Sequence, residues 1–142
     1  MSDVVVERIV PDESGRAVEL NLLWSVDDLS SSPSGFVQLS SRRGDGIWAY
    51  PLVIAKGGQT GDLERSTLSL DCRAQIGLAA ISALGNGTYD ARLVGVMAGR
   101  RAKLRIASRI QGDLYTTRIG SSIVRLYATA FGNLSIHCRP IH

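Results

Sequence analysis

The sequence predicts an all-β fold: an antiparallel β-sandwich, jelly-roll or immunoglobulin-like, of about eight to nine strands with one short helix. A closed β-barrel is the alternative arrangement. Three observations predict it. Apolar residues recur at every second position, as in Leu68, Leu70, Cys72, Ala74 and Ile76 with Ser69, Asp71, Arg73 and Gln75 between them, the pattern of a strand with one buried face. Turn residues punctuate such segments at short intervals, 15 glycines among them. The length, 142 residues, fits a single domain spanning 1–142, large enough to bury a core without metals or disulfides.

Taken in order, the segment 3–10 opens the series, and Val18, Leu20, Leu22, Trp24 and Val26 alternate next. Ser30-Ser-Ser-Pro-Ser-Gly35 reads as a surface loop. Segments 35–41 and 46–55 form a hairpin. Val37 and Leu39 share a face with Trp48, Tyr50, Leu52 and Ile54 only if the loop within Arg42-Arg43-Gly44-Asp45 has an even length. Pro51 cannot donate to a ladder and so marks an edge or a bulge.

After the strand 67–76, the stretch Ile76–Leu84, rich in Ala and Leu and followed by Gly85-Asn86-Gly87, predicts the short helix. Segments 88–97 and 102–110 form a second hairpin around Ala98-Gly99. This register sets Leu93 opposite Leu104 and Ala91 opposite Ile106 inside, with Arg92 opposite Arg105 and Val94 opposite Lys103 outside. Segments 122–130 and 133–139 need an odd loop around Phe131-Gly132-Asn133 to match Val124, Leu126, Ala128 and Ala130 with Leu134, Ile136 and Cys138. Leu70, Cys72, Leu93, Leu104 and Ile106 are therefore expected in the core. Asn86-Gly-Thr-Tyr89-Asp-Ala-Arg-Leu93 resembles the Gly-x-Tyr corner of immunoglobulin-like sandwiches, with Ala91 where that corner has a cysteine.

Charge is uneven along the chain. Through Asp71 it carries eleven acidic and six basic side chains; from Cys72 onward it carries two acidic and ten basic. The densest basic part is Arg92, Arg100, Arg101, Lys103, Arg105 and Arg109, the candidate residues for binding an anion or a partner. By parity Arg101, Lys103 and Arg105 form an outward row spaced about 6.6–7 Å, with Arg92 beside Arg105. Like charges directly opposite each other weaken pairing, so an acidic surface or polyanion over the row would stabilise it. A solvated sheet face with Asp90 nearby accounts for the row without any partner.

The chemistry of familiar enzymes finds little support. The two histidines, His137 and His142, lie near the end of the chain, and none of the sixteen serines sits in a Gly-x-Ser-x-Gly elbow. No Cys-x-x-Cys or His-x-His pair offers a metal site, and adjacent His137 and Cys138 point to opposite faces of a strand. The paired carboxylates Asp12-Glu13 and Asp27-Asp28 fall in polar turns. Gly85-x-Gly87 precedes a strand where a phosphate loop needs a helix. Arg43-Gly44-Asp45 reads as turn chemistry. No catalytic residue, metal ligand or cofactor is assigned.

Met1-Ser-Asp-Val-Val-Val lacks the basic and apolar regions of a secretory signal, and no run of 18 apolar residues occurs. The expectation is a cytoplasmic protein, or one released without a cleavable signal, with no transmembrane segment. Cys72 and Cys138 then stay reduced, and Cys72 serves as a small buried hydrophobe.

The functional expectation is a non-catalytic binding or assembly module, a subunit of a homo-oligomer or larger assembly that uses its basic strand face. Its partner would be a second copy or an acidic protein surface. The alternatives are a receptor or carrier for an anionic ligand (nucleic acid, phospholipid headgroup or sulfated sugar) and an enzyme with a dispersed, motif-free site. Val94, Val96 and Ala107 interleave the basic row where nucleic acid would want aromatic platforms, which favours an acidic protein surface or isolated anionic groups over nucleic acid.

Overall fold

The structure, a computed structural model, describes residues 3–26, 33–44, 46–55, 68–83, 86–97 and 99–141. The strands are β1 (Asp3–Pro11), β2 (Ala17–Val26), β3 (Ser34–Ser41), β4 (Ile47–Ile54), β5 (Leu68–Gly77), β6 (Gly87–Met97), β7 (Arg100–Ser108), β8 (Gly112–Ile119), β9 (Ser122–Ala128) and β10 (Leu134–Pro140). One short helix, α1 (Leu78–Ser82), follows β5. The fold is all-β, as expected, and of the two arrangements named above it takes the closed barrel.

Seven strands close in the order β3-β4-β5-β2-β1-β7-β6, with β6 returning to β3. Strands β10, β9 and β8 continue outward from β6 as an extension. The β1–β7 seam is parallel, pairing Val4–Val6 with Ile106–Ser108, while the other named pairings are antiparallel. β6 joins the two parts because it is long enough to hold three partners. One edge pairs with β3 over Tyr89–Val96; the other pairs with β10 over Gly87–Asp90 and with β7 over Arg92–Met97.

Alternation explains the inside. Leu20, Leu22, Leu39, Ile76, Leu93 and Ile106 are fully buried, and the inward residues of the extension, Val124, Leu126, Leu134, Ile136 and Cys138, belong to the same apolar cluster. Leu78 and Ile81 of α1 fill the cluster beneath the extension. Trp24 occupies the barrel where Gly35 and Gly95 face each other across β3 and β6. A Cβ on Gly95 would lie 2.6 Å from the Trp24 ring, so this position needs glycine for close approach. Trp48 and Tyr89 add an edge-to-face pair at 5.5 Å.

The register of the hairpin around Gly99 holds, with Leu93 opposite Leu104 and Arg92 opposite Arg105, and so do the two loop parities: Val37 pairs with Tyr50 and Leu39 with Trp48 across an even loop, and Ala128 pairs with Leu134 across an odd one. Leu70, Cys72, Leu93 and Ile106 are buried, whereas Leu104 is half-buried against the cluster. Pro51 stands where β4 ends its pairing with β3 and begins to pair with β5 at Leu52.

Several boundaries move. β8 is a tenth strand the alternation did not reveal, because a bulge between Asp113 and Tyr115 breaks its period. Ile76 and Gly77 stay in the β5 ladder, where Gly77 pairs with Ala17, so the helix begins at Leu78. Ser34 and Gly35 belong to β3, not to a loop; Arg109 and Ile110 lie beyond β7; and Ala130 lies beyond β9. Asp27, Asp28, Ser30–Ser32, Asp45, Thr67, Leu84, Gly85, Ala98 and His142 fall outside the described residues. No helix among the described residues is long and apolar enough to cross a membrane.

Candidate functional site

The outer wall of β3, β6 and β7 is organised in cross-strand rows. Ser34, Val96 and Arg101 form one; Phe36, Val94 and Lys103 the next; then come Gln38, Arg92 and Arg105. Ser40 lies opposite Asp90, which lies opposite Ser135 of β10. Arg92, Arg101, Lys103 and Arg105 are thus brought onto one face by the register of a single hairpin.

Their environments differ. Arg101 and Lys103 are exposed, and the Arg101 guanidinium lies 5.9 Å from the centre of the Phe36 ring. Val94 points to this outer face yet is only 4% exposed, so its long neighbours shield it; the aliphatic stems of Lys103 and Arg92 suit that task. Arg92 and Arg105 are half-buried. Arg92 Nη1 donates to Ser40 Oγ at 3.1 Å. Arg105 Nη2 lies 3.7 Å from Asp90 Oδ1, and its buried Nε finds no hydrogen-bond acceptor among the described residues.

Asp90 is the hub. Arg42 Nε donates to its Oδ1 at 3.1 Å, Arg42 Nη2 lies at 3.1 Å, and Ser135 Oγ donates at 3.0 Å. Burial pushes the Asp90 carboxyl up, but the hydrogen bonds from Arg42 and Ser135 and the charges of Arg42 and Arg105 outweigh it and hold the group below its ordinary value. Its hydrogen bond likewise raises Arg42. One carboxylate therefore serves two guanidiniums directly, with Arg92 two residues along β6 on the same face. Positive charge is left in excess.

Arg42 was not among the expected residues, and neither were Tyr127 or Phe131. Arg42 stands in the β3–β4 turn, whose backbone is fixed to β6 by the Arg42 N–H donating to Thr88 O at 3.0 Å. The β9–β10 loop is held to the end of β7 by the Ala107–Asn133 bridge and by Ser108 N–H donating to Gly132 O at 2.8 Å. Between turn and loop runs a groove of about 330 Å³ lined by Arg42, Arg105, Tyr127, Thr129, Ala130 and Phe131. Phe131 is 93% exposed at its rim. The one local signal was an aromatic, Phe131, beside Gly132 in a hairpin loop; its nearness to Arg42 and Arg105 comes from pairings between distant strands.

The remaining expected residues lie apart. Arg100 has the opposite parity, pairing with Met97 at the barrel mouth. Arg109 follows β7 and forms an exposed ion pair with Glu7 at 3.8 Å. Cys72 and Cys138 are buried free thiols, and burial pushes Cys72 up to about 12, so it presents no thiolate. Among the described residues no group of three or more His, Cys, Asp or Glu is assembled for a metal ion.

No protein-family model matches this chain, and no curated protein matches it. Among solved structures it is similar to the crystal structure of S. aureus TarS 217-571, with a TM-score of 0.60 at 14% identity, covering 100% of this chain and 39% of that one. It is similar also to the crystal structure of S. aureus TarS, with a TM-score of 0.60 at 14% identity, covering 99% of this chain and 25% of that one. The chain thus spans well under half the length of either, and the likeness is one of fold.

Proposed function

We propose that this chain is a non-catalytic binding module, a subunit of a larger assembly, whose basic outer face on β6 and β7 seats an acidic protein surface. The observation that carries the reading is the direct opposition of half-buried Arg92 and Arg105 with a single carboxylate nearby, itself shared with Arg42. Like charges so placed oppose strand pairing, and an acidic partner would relieve them. Half-buried Phe36 and exposed Val96 lie among the cations, a mixed apolar and charged surface of the kind protein interfaces use. The groove beside Phe131 favours a second reading, a receptor for an anionic ring-bearing ligand such as a sulfated sugar. There Tyr127 and Phe131 would supply faces and Arg42 and Arg105 charges.

The test is charge reversal at Arg101 and Lys103. These two are exposed, so Arg101→Glu with Lys103→Glu should change stability by no more than about 0.5 kcal/mol. Arg105 is spared because reversing it would set a carboxylate against Asp90. Solution mass measured across protein concentration, at low and high salt, should show the parent assembling and the variant failing to, most clearly at low salt where screening is least. A variant with the parent's mass, and equal retention on an anionic resin, would reduce the row to a solvated face.

A further inference from the structure

A second cationic cluster lies outside the face just discussed, on the outward side of the extension. His137 of β10 stands directly opposite Arg125 of β9, and Arg125 opposite Thr116 of β8. Arg139, two residues beyond His137 on the same face, stands opposite Ile123. These side chains and Asp113 line a groove of about 310 Å³. Opposed Cβ atoms on paired strands are about 4.5–5.5 Å apart and successive same-face residues about 7 Å, so the three basic residues are close neighbours on this face.

We propose that this groove is an oxyanion site, taking a group of the phosphate or sulfate class between Arg125, Arg139 and His137. Three features make it a built site. The Arg125 guanidinium lies over the Tyr127 ring at 4.4 Å from its centre, which fixes its plane. Arg125 Nε lies 3.3 Å from Asp113 Oδ1 but, buried, makes no hydrogen bond, so that carboxylate balances charge without holding the guanidinium's terminal nitrogens. Thr88 Oγ1 and His137 Nδ1 lie 3.0 Å apart, one donating and the other accepting according to tautomer, which orients the ring and leaves Nε2 as its second hydrogen-bonding atom.

The site couples anion binding to protonation. His137 is held below its ordinary value by burial first, then by the charges of Arg125 and Arg139. The groups around it are Thr88 from β6, Arg125 from β9, Asp113 and Thr116 from β8, and Ser135 and Arg139 from its own strand, with Asp90 engaged by Arg42, Arg105 and Ser135 one row away. An oxyanion between the arginines cancels their repulsion of an imidazolium. Anion and proton then bind cooperatively, each strengthening the other by the same factor. The site does not depend on the β6–β7 face seating a protein.

The probe is sulfate, whose charge is constant over the range in which histidine titrates, whereas phosphate takes up a proton of its own there. The readout is the imidazole resonances of His137, assigned by their loss in His137→Gln. Sulfate should raise the His137 titration midpoint by about half a pH unit or more, and sulfate affinity should grow about threefold or more between neutral and mildly acidic pH. Arg139→Gln, at an exposed position, and Arg125→Gln should each remove most of the shift. Arg101→Glu with Lys103→Glu should leave it in place, which separates this site from the assembly face. Methyl phosphate at fixed pH distinguishes sources: a shift with it assigns the groove to an esterified group, and a shift with sulfate alone assigns it to the free ion. An equal shift with sodium chloride at matched ionic strength, or one that survives both glutamine variants, overturns the proposal.

Discussion

The barrel closes on itself and the β8–β9–β10 extension does not, and β6 belongs to both. In the barrel every strand has a neighbour on each side, and the interior is filled from all around, with Trp24, Leu39, Leu93 and Ile106 meeting inside. In the extension β8 pairs, among the described residues, only with β9, and the buried face of β9 and β10 is covered by α1 and by the rest of the core. The outer faces contrast as well. The β6–β7 wall carries Arg101 and Lys103 free of carboxylates among the described residues, while on the extension Asp113 lies against Arg125 and Asp90 marks the boundary. Cations thus crowd where the closed and open parts of one sheet meet, and a single carboxylate sits at the junction.

The strongest way to break this division is to remove a buried leucine from each part. Leu93 and Leu126 are both fully buried within one apolar cluster. If barrel and extension fold as one unit, Leu93→Ala and Leu126→Ala should each cost about 3–5 kcal/mol and lower a single denaturant midpoint. Half-buried Leu104 should cost less on truncation than Leu93, its cross-strand partner. Two separate transitions in the Leu126 variant, monitored by circular dichroism and tryptophan fluorescence, would show the extension melting off an intact barrel.

Local pairing was legible because parity is a strict constraint. Once Leu93 and Leu104 must share a face, the loop around Gly99 allows few registers, and Arg92 falls opposite Arg105 without further information. In the other two hairpins the same reasoning set which residues share a face, while the partners themselves, Tyr50 for Val37 and Leu134 for Ala128, depend on loop lengths that parity leaves open. Pairings between distant segments were not legible: nothing local says that β3 lies along β6, or that β1 runs parallel to β7, because many strands of similar pattern could fill those places. The site inherits this limit. The row from Arg101 to Arg105 depends on one hairpin and was readable, whereas Arg42 reaches Asp90 only through the β3–β6 pairing. Sandwich and barrel could not be separated for the same reason, since they differ in which distant edges meet.

A smaller effect sharpens the barrel side of the comparison. Gly95→Ala adds a Cβ at 2.6 Å from the Trp24 ring, inside the closed wall where neither strand can withdraw freely. Overpacking of this kind should cost about 1–3 kcal/mol. Gly99→Ala makes a poor control because that residue has φ 73, so Gly77→Ala, with open space around it and an extended backbone, serves better. Equal melting of the Gly95 and Gly77 variants, with Trp24 emission unchanged, would mean that the β3–β6 seam yields without strain.

The smallest effect lies at the junction itself. Asp90 is an acid held below its ordinary value of 3.8, so its ionised form stabilises the fold, fully so above that value, and the contribution is lost as pH falls through the lower folded-state value. Asp90→Asn keeps an acceptor for Ser135 and Arg42 but removes the charge that offsets Arg42 and Arg105. At neutral pH the substitution should cost about 1 kcal/mol, because the pairs are partly solvated and hydrogen bonds to charged groups lose some of their worth there. In strong acid the parent's Asp90 is protonated in both states, so the gap between parent and variant should close. Urea unfolding of the two proteins at neutral and acidic pH measures that gap directly. A gap that persists in acid would mean that Asp90 acts through its shape and hydrogen bonds alone; the arginines would then tolerate one another without its charge, and the case for an acidic partner over Arg92 and Arg105 would weaken with it.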